Sequence, residues 1–223
     1  MRITDLKASI VETDIPWDSQ DASRGKMQGA VVQIFTDANI TGTYFAWERL
    51  STRRGLADTL IYAVKPFLLG KDPFDRELIW QTLSSWRRKG LPMIGAGAEY
   101  LYECNPAHFA PYIAGHVVDI VRTDARRGIT PAKKIADMCA GFHMNCELHS
   151  WGSIIGQAAN LQVMAAIPNC EFFEQAVPLE RFEVCAKDHF TLDSEGYVHV
   201  PVRPGMGVEL DWDEIDKRTV YRT

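Results

Sequence analysis

Four polar residues, Glu99, Asp124, His149 and Glu174, follow one another at intervals of 25 positions. Each lies at or just beyond the end of a short apolar run: Met93 to Ala98, Val117 to Val121, Met144 to Leu148 and Cys170 to Phe173. Three carboxylates and a histidine are the composition of an acid/base site, because imidazole changes charge near neutrality and neighbouring carboxylates tune it. A plainer account is that strand ends are polar because they meet solvent, and that the interval is coincidence. Spacing alone leaves both open. Two other chemistries are weaker. Zinc held by Cys139, His143, Cys146 and His149 would draw its histidines from one strand and its approach, which is not finger spacing. Gly205-x-Gly207 precedes the strand-like Val208-Glu209-Leu210, so no helix N-terminus follows to hold a phosphate and the pair reads as a turn.

The elements between these residues explain how they could meet. Helical patterns occupy Pro106 to Gly115, Thr130 to Ala140 with Thr130 as N-cap, and Ser153 to Ala166. Strand, helix and strand in alternation is the βα unit of a parallel sheet, and in a (β/α) barrel the reactive side chains project from strand C-terminal ends into one mouth. Residues 1 to about 90 differ in kind. Ile3 to Thr13 reads as a first strand and Trp17 to Lys26 as a polar loop. Ala30 to Thr36 and Tyr44 to Trp47 flank turn chemistry at residues 37–42, a hairpin. A helix over Leu56 to Lys65 is expected to stop near Pro66, and a second runs from Asp75 to Lys89. Its terminal Arg87-Arg88-Lys89 complements the helix dipole.

Composition narrows the function classes. The chain has 223 residues, 46% hydrophobic and 24% charged, so it can build a packed core. A net charge of −5 argues against general binding to nucleic acid, which needs dense Lys/Arg surfaces. Five cysteines without close pairing suit reduced thiols and a cytoplasmic location. The charged start, Met1-Arg2-Ile3-Thr4-Asp5, shows no secretory pattern, and no apolar run approaches the ~18 residues of a membrane span.

Several motifs, in order, resemble the enolase superfamily, in its mandelate racemase/muconate lactonizing branch. They are Val118-Asp119-Ile120-Val121-Arg122-Thr123-Asp124 with Gly128-Ile129-Thr130-Pro131, Leu148-His149-Ser150-Trp151-Gly152-Ser153, Pro168-Asn169-Cys170-Glu171-Phe172-Phe173-Glu174 and Pro204-Gly205-Met206-Gly207-Val208. The resemblance implies an α+β capping domain followed by a (β/α) TIM-type barrel. It implies proton abstraction next to a carboxylate, with Mg²⁺ stabilising the enediolate. His149 would be the acid/base, Asp124 its partner, Glu174 a donor to the enolic oxygen and Glu99 a metal ligand. The loop from Trp17 to Lys26, with Trp17, Arg24 and Lys26, would close over the mouth and bind substrate. The His-Ser-Trp-Gly form is similar to acid-sugar dehydratases, which yield 2-keto-3-deoxy acids; a racemase or epimerase of a hydroxy acid is the alternative.

Departures from that pattern matter as much. A full barrel takes about 250 residues, and only 134 follow Lys89. No Lys-x-Lys occurs, and two metal carboxylates have no candidate; Asp37-Ala38-Asn39 reads as the hairpin turn instead. The expected organisation is therefore a capping domain over 1–90, an incomplete barrel of about four βα units over 91–190 with a junction at Gly90 to Ala98, and a returning segment over 191–223. Glu99 alone should hold Mg²⁺ poorly. Exposed sheet edges imply a homo-oligomer that completes the barrel. A remnant that only binds a sugar acid, or only assembles, is the competing expectation.

Overall fold

Apolar side chains at Leu6, Ala8 and Ile10 recur with the period of two that buries one face of a strand. They belong to β1 (Ile3–Thr13), the central element of the first of two compact units, Met1–Ala98 with Trp212–Thr223. The computed structural model describes residues 1–13, 27–47, 53–88, 105–175 and 177–223. The expected loop from Trp17 to Lys26 and the expected strand from Met93 to Ala98, with Glu99, lie outside the described residues.

β1 pairs antiparallel with β2 (Met27–Thr36), and β2 with β3 (Thr41–Trp47). Asp37-Ala38-Asn39 forms the hairpin turn, with Asn39 at φ 57° and the Asp37 carboxylate accepting the Arg2 N–H at 2.8 Å. The chain's last strand, β6 (Thr219–Arg222), adds to the other edge of β1, giving the order β3-β2-β1-β6. Helices cover one face. α1 (Arg53–Thr59) runs through a π turn (Leu60–Val64) into α2 (Lys65–Leu68), and α3 (Arg76–Arg88) follows. Val64 and Leu68 bury against Ile3 and Leu6.

Pro66 therefore does not end the helix. The wide turn before it, closed by the Lys65 N–H on the Leu60 carbonyl, relieves the clash a proline ring makes with an α-helical carbonyl. Pro66 then falls in the first turn of α2, where its missing N–H is not needed.

In the second unit, Glu99–Asp211, the chain alternates between strand and helix. α4 (Pro106–Ala114) is capped by Asn105, whose Oδ1 accepts the Ala107 N–H at 3.0 Å. β4 (Ile120–Thr123), a 3₁₀ turn (Ala125–Arg127), α5 (Ile129–Gly141), β5 (Asn145–Leu148) and α6 (Ile154–Met164) follow. β4 and β5 pair in parallel, joined by the crossover helix that parallel strands require. Val121, Cys146 and Leu148 from the strands pack with Ile135, Ala136 and Cys139 of α5 and Val163 of α6. Past α6 come a short helical turn, α7 (Leu179–Phe182), and a largely irregular stretch leading to α8 (Trp212–Arg218). The four described cysteines are free thiols, and Cys170 is pushed up to about 12 by burial and by Glu147.

Three expectations need correction here. β4 starts at Ile120, because Val117 and Val118 remain exposed. Thr130 is not the N-cap of α5. Gly128 is, at φ 144°, a conformation that favours glycine, and it leaves Thr130 in the first turn. Cys170 to Phe173 is not a strand. Its backbone is held by side chains instead: the Glu147 carboxylate accepts the N–H groups of Glu171 and Phe172, each at 3.2 Å, and Asn169 Nδ2 donates to the Ala136 and Met144 carbonyls. Of the three expected βα strands that fall among the described residues, two form and pair with each other.

Because a carboxylate does the work of a strand there, Glu147→Ala should release the Glu171 and Phe172 amides. Hydrogen exchange is expected to accelerate at both by tenfold or more, with a global stability loss of about 1 kcal/mol in urea unfolding.

Candidate functional site

The register of β4 and β5 brings the site together. Ile120 stands opposite Asn145 and Thr123 opposite Leu148, an offset of 25 at every pair. The next residues, Asp124 and His149, are consequently neighbours, and the His149 N–H donates to the Thr123 carbonyl at 2.8 Å. For these two the sequence interval is the parallel ladder itself. Glu174 arrives from an irregular segment, yet it reaches the same place by pairing with Arg122 on β4. Glu99, Trp17, Arg24 and Lys26 lie outside the described residues.

Asp124 is the buried anchor, with no exposed side-chain surface. Its Oδ1 accepts the Arg126 backbone N–H at 2.9 Å, which caps the 3₁₀ turn. The Arg126 guanidinium lies along the same carboxylate, with Nε 2.8 Å from Oδ2 and Nη2 2.5 Å from it. Asn160 of α6 completes the set. Its Oδ1 accepts the Ala125 N–H at 2.8 Å, while its Nδ2 donates to the His149 carbonyl at 3.0 Å and approaches Asp124 Oδ1 at 3.3 Å. A buried ionised carboxylate is tolerated only with such compensation.

His149 is partly exposed, and its ring lies 5.9 Å from that of Trp151, which in turn meets Phe182. The Asp124 carboxylate does not hydrogen-bond its Nδ1, since the closest oxygen is 3.9 Å away. Arg126 Nη2 stands nearer, at 3.3 Å. Burial holds the imidazole below its ordinary pKa; Arg126 and Arg122 push the same way, and Asp124 and Glu174 oppose them. The outcome is a neutral ring at pH 7 beside two carboxylates and two guanidinium groups.

Sequence reasoning finds Asp124, His149 and Glu174, and the fold gathers all three. It misses Arg126, Arg122 and Asn160. One signal for Asn160 was available: a carboxamide amid the apolar run of α6 is rarely buried without structural partners. Arg126 carried none beyond its place two residues after a strand-end aspartate.

Magnesium does not fit the described residues. No three His, Cys, Asp or Glu side chains among them converge to hold a metal ion. The Asp124 and Glu174 carboxylates are engaged by arginines rather than arranged as the oxygen cage Mg²⁺ requires.

Residues 72–214 match the family described as enolase C-terminal domain-like. A segment of 106 residues is 33% identical to D-xylonate dehydratase from Haloferax volcanii, covering 46% of this chain and 26% of that protein. The chain thus spans 26% of that relative's length. The structure of D-glucarate dehydratase from Agrobacterium tumefaciens, complexed with magnesium, is similar with a TM-score of 0.77 at 18% identity, over 99% of this chain and 100% of the other. The 3,6-anhydro-D-galactonate cycloisomerase from Zobellia galactanivorans gives 0.71 at 14%, over 99% and 100%. At such identities the likeness concerns the fold alone. Among the described residues no helix is long and apolar enough to cross a membrane.

Two outcomes follow from the geometry. Asn160→Leu strands the Ala125 N–H and weakens the Asp124 set, so chemical denaturation should show a loss of about 2–4 kcal/mol. An unfolded histidine titrates near 6.5 and His149 lower, so between those values the unfolded chain binds the extra proton. The His149 contribution is then full above about pH 6.5 and is lost as pH falls through the folded value. Plots of stability against pH for the wild type and His149→Asn should differ in slope within that window and run parallel on either side of it, the wild type losing stability relative to the variant as pH falls.

Proposed function

The chain belongs to the enolase C-terminal domain-like family, and from that premise we propose that it acts on a sugar acid, taking the proton next to the carboxylate and expelling the β-hydroxyl to give a 2-keto-3-deoxy acid. One observation carries the reading: a neutral histidine placed by strand register at the end of a parallel ladder, within 3.9 Å of a buried carboxylate. The dehydratase relative favours dehydration over racemisation.

In this reading His149 is the acid/base. Its Nδ1 faces Asp124 and Arg126, which leaves Nε2 for the substrate. With its proton on Nδ1 the ring accepts the α-proton at Nε2. The same proton returned to the β-hydroxyl oxygen lets the C–O bond break and water leave, and the enol product becomes the 2-keto acid. Arg122 and Glu174 form the charged rim. Arg122 suits a carboxylate substrate, and Glu174, in its protonated form, would donate to the enolic oxygen where charge develops. Trp17, Arg24 and Lys26 are proposed to select the polyol. Glu99 is proposed as a ligand for Mg²⁺, and no step above passes through the ion.

Incubation with Mg²⁺ and a panel of C5 and C6 sugar acids, scored for 2-keto product, tests the assignment. Product from the wild type and a loss of about 100-fold or more in His149→Asn are expected. Equal product from the variant removes His149 from the chemistry, and no product from any acid overturns the reading.

A further inference from the structure

Arginine has no acceptor atom, so wherever its N–H meets a histidine nitrogen, that nitrogen must accept. Arg126 Nη2 faces His149 Nδ1 at 3.3 Å, while Asp124 is too distant to hold a proton there. The guanidinium is fixed in that position. Its Nε and Nη2 lie on the Asp124 carboxylate, and its side chain is 8% exposed. Its stem runs over two glycines. A Cβ on Gly152 would stand 2.7 Å from Arg126 Cδ and Nη1, and one on Gly156 would stand 2.8 Å from Cδ and Cγ. Gly152, at φ 145°, also has a backbone that favours glycine. The His-Ser-Trp-Gly-Ser-Ile-Ile-Gly segment therefore supplies both the imidazole and the space for the arginine that contacts it.

We propose that Arg126 is a positioning residue that decides which ring nitrogen of His149 carries the proton: it keeps Nδ1 an acceptor and the proton on Nε2, so that the resting imidazole meets an anionic substrate as a hydrogen-bond donor and becomes a base only when Arg126 gives up Nδ1 to Asp124. This deepens the acid/base role given to His149 and rests on it for its chemical consequence. The tautomer itself follows from the geometry. The charged groups facing the ring are Asp124 at the end of β4, Arg126 in the 3₁₀ turn, Arg122 on β4 and Glu174 from the irregular segment. Loss of Arg126 removes one of the two cations and frees the nearer carboxylate.

The test is nitrogen NMR of protein labelled at histidine, without substrate, with the His149 signals identified by their absence in His149→Asn. In the wild type above its titration, Nδ1 should be unprotonated and Nε2 protonated. In Arg126→Gln the proton should move to Nδ1, and proton affinity should rise by about tenfold, one pH unit. Because Arg126 shields a fully buried carboxylate, Gly156→Ala provides a second route. It displaces the arginine stem while leaving Arg126, Asp124 and His149 in place, and alanine is favoured over glycine within a helix. It should shift the tautomer and midpoint in the same direction, and Arg126→Lys should restore the low midpoint in part. A wild-type ring protonated on Nδ1, or a tautomer and midpoint unmoved in both Arg126→Gln and Gly156→Ala, overturns the proposal. Since no turnover is read, that result is independent of whether any sugar acid is dehydrated.

Discussion

The Asp124 carboxylate is buried and charged, and much of the second unit is arranged around that fact. Removing a carboxylate from water costs several kcal/mol unless charge and hydrogen bonds replace the lost hydration. Here the compensation comes from three directions: the backbone of the turn that follows, the Arg126 fork and the Asn160 carboxamide. Each imposes a demand of its own. The fork needs room, which Gly152 and Gly156 provide. The carboxamide must enter from α6, so that helix begins directly after its N-cap Ser153, whose Oγ accepts the Gly156 N–H. One buried charge thus sets the start and inner face of a helix three dozen residues away.

The same logic explains the face of β4 and β5 turned away from the helices. Val121, Thr123, Cys146 and Leu148 are buried, whereas Ile120, Arg122, Asn145 and Glu147 are exposed or only partly covered. A face bearing Arg122, Asn145 and Glu147 does not build an apolar layer. It binds what comes next through polar groups: Glu147 takes two backbone amides, Asn145 Nδ2 donates to Glu171, and Arg122 pairs with Glu174. The segment alongside β5 is tied to it by side chains rather than by a regular ladder.

This contrast marks what could be read from the sequence. Strand β1, the β2–β3 hairpin and helices α5 and α6 follow from apolar periodicity and turn residues, which act locally. The adjacency of Asp124 and His149 was also legible, because parallel strands in register convert a fixed interval into a contact. The same interval misread Cys170 to Phe173 as a strand, since periodicity records which residues are apolar and not whether a carboxylate has taken the backbone amides. Pro66 and Thr130 misled for a related reason: a π turn and a glycine with positive φ depend on geometry that residue preferences average away. Arg126 was invisible because its importance lies in two absent side chains, those of Gly152 and Gly156.

Electrostatic balance at His149 links the fold to the proposed chemistry. A histidine that takes a proton from carbon must be neutral beforehand, yet a carboxylate close enough to strengthen it as a base also tends to keep it charged. At this site the conflict is resolved by number and distance. Burial, Arg126 and Arg122 favour the neutral ring, and Asp124, at 3.9 Å and already engaged by Arg126, opposes them only in part. Were Asp124 to hydrogen-bond the imidazole directly, the ring would gain basicity and lose neutrality together. Interposing a guanidinium separates the two effects: the ring stays uncharged while Arg126 occupies Nδ1, and the carboxylate stays within reach for when that contact is given up.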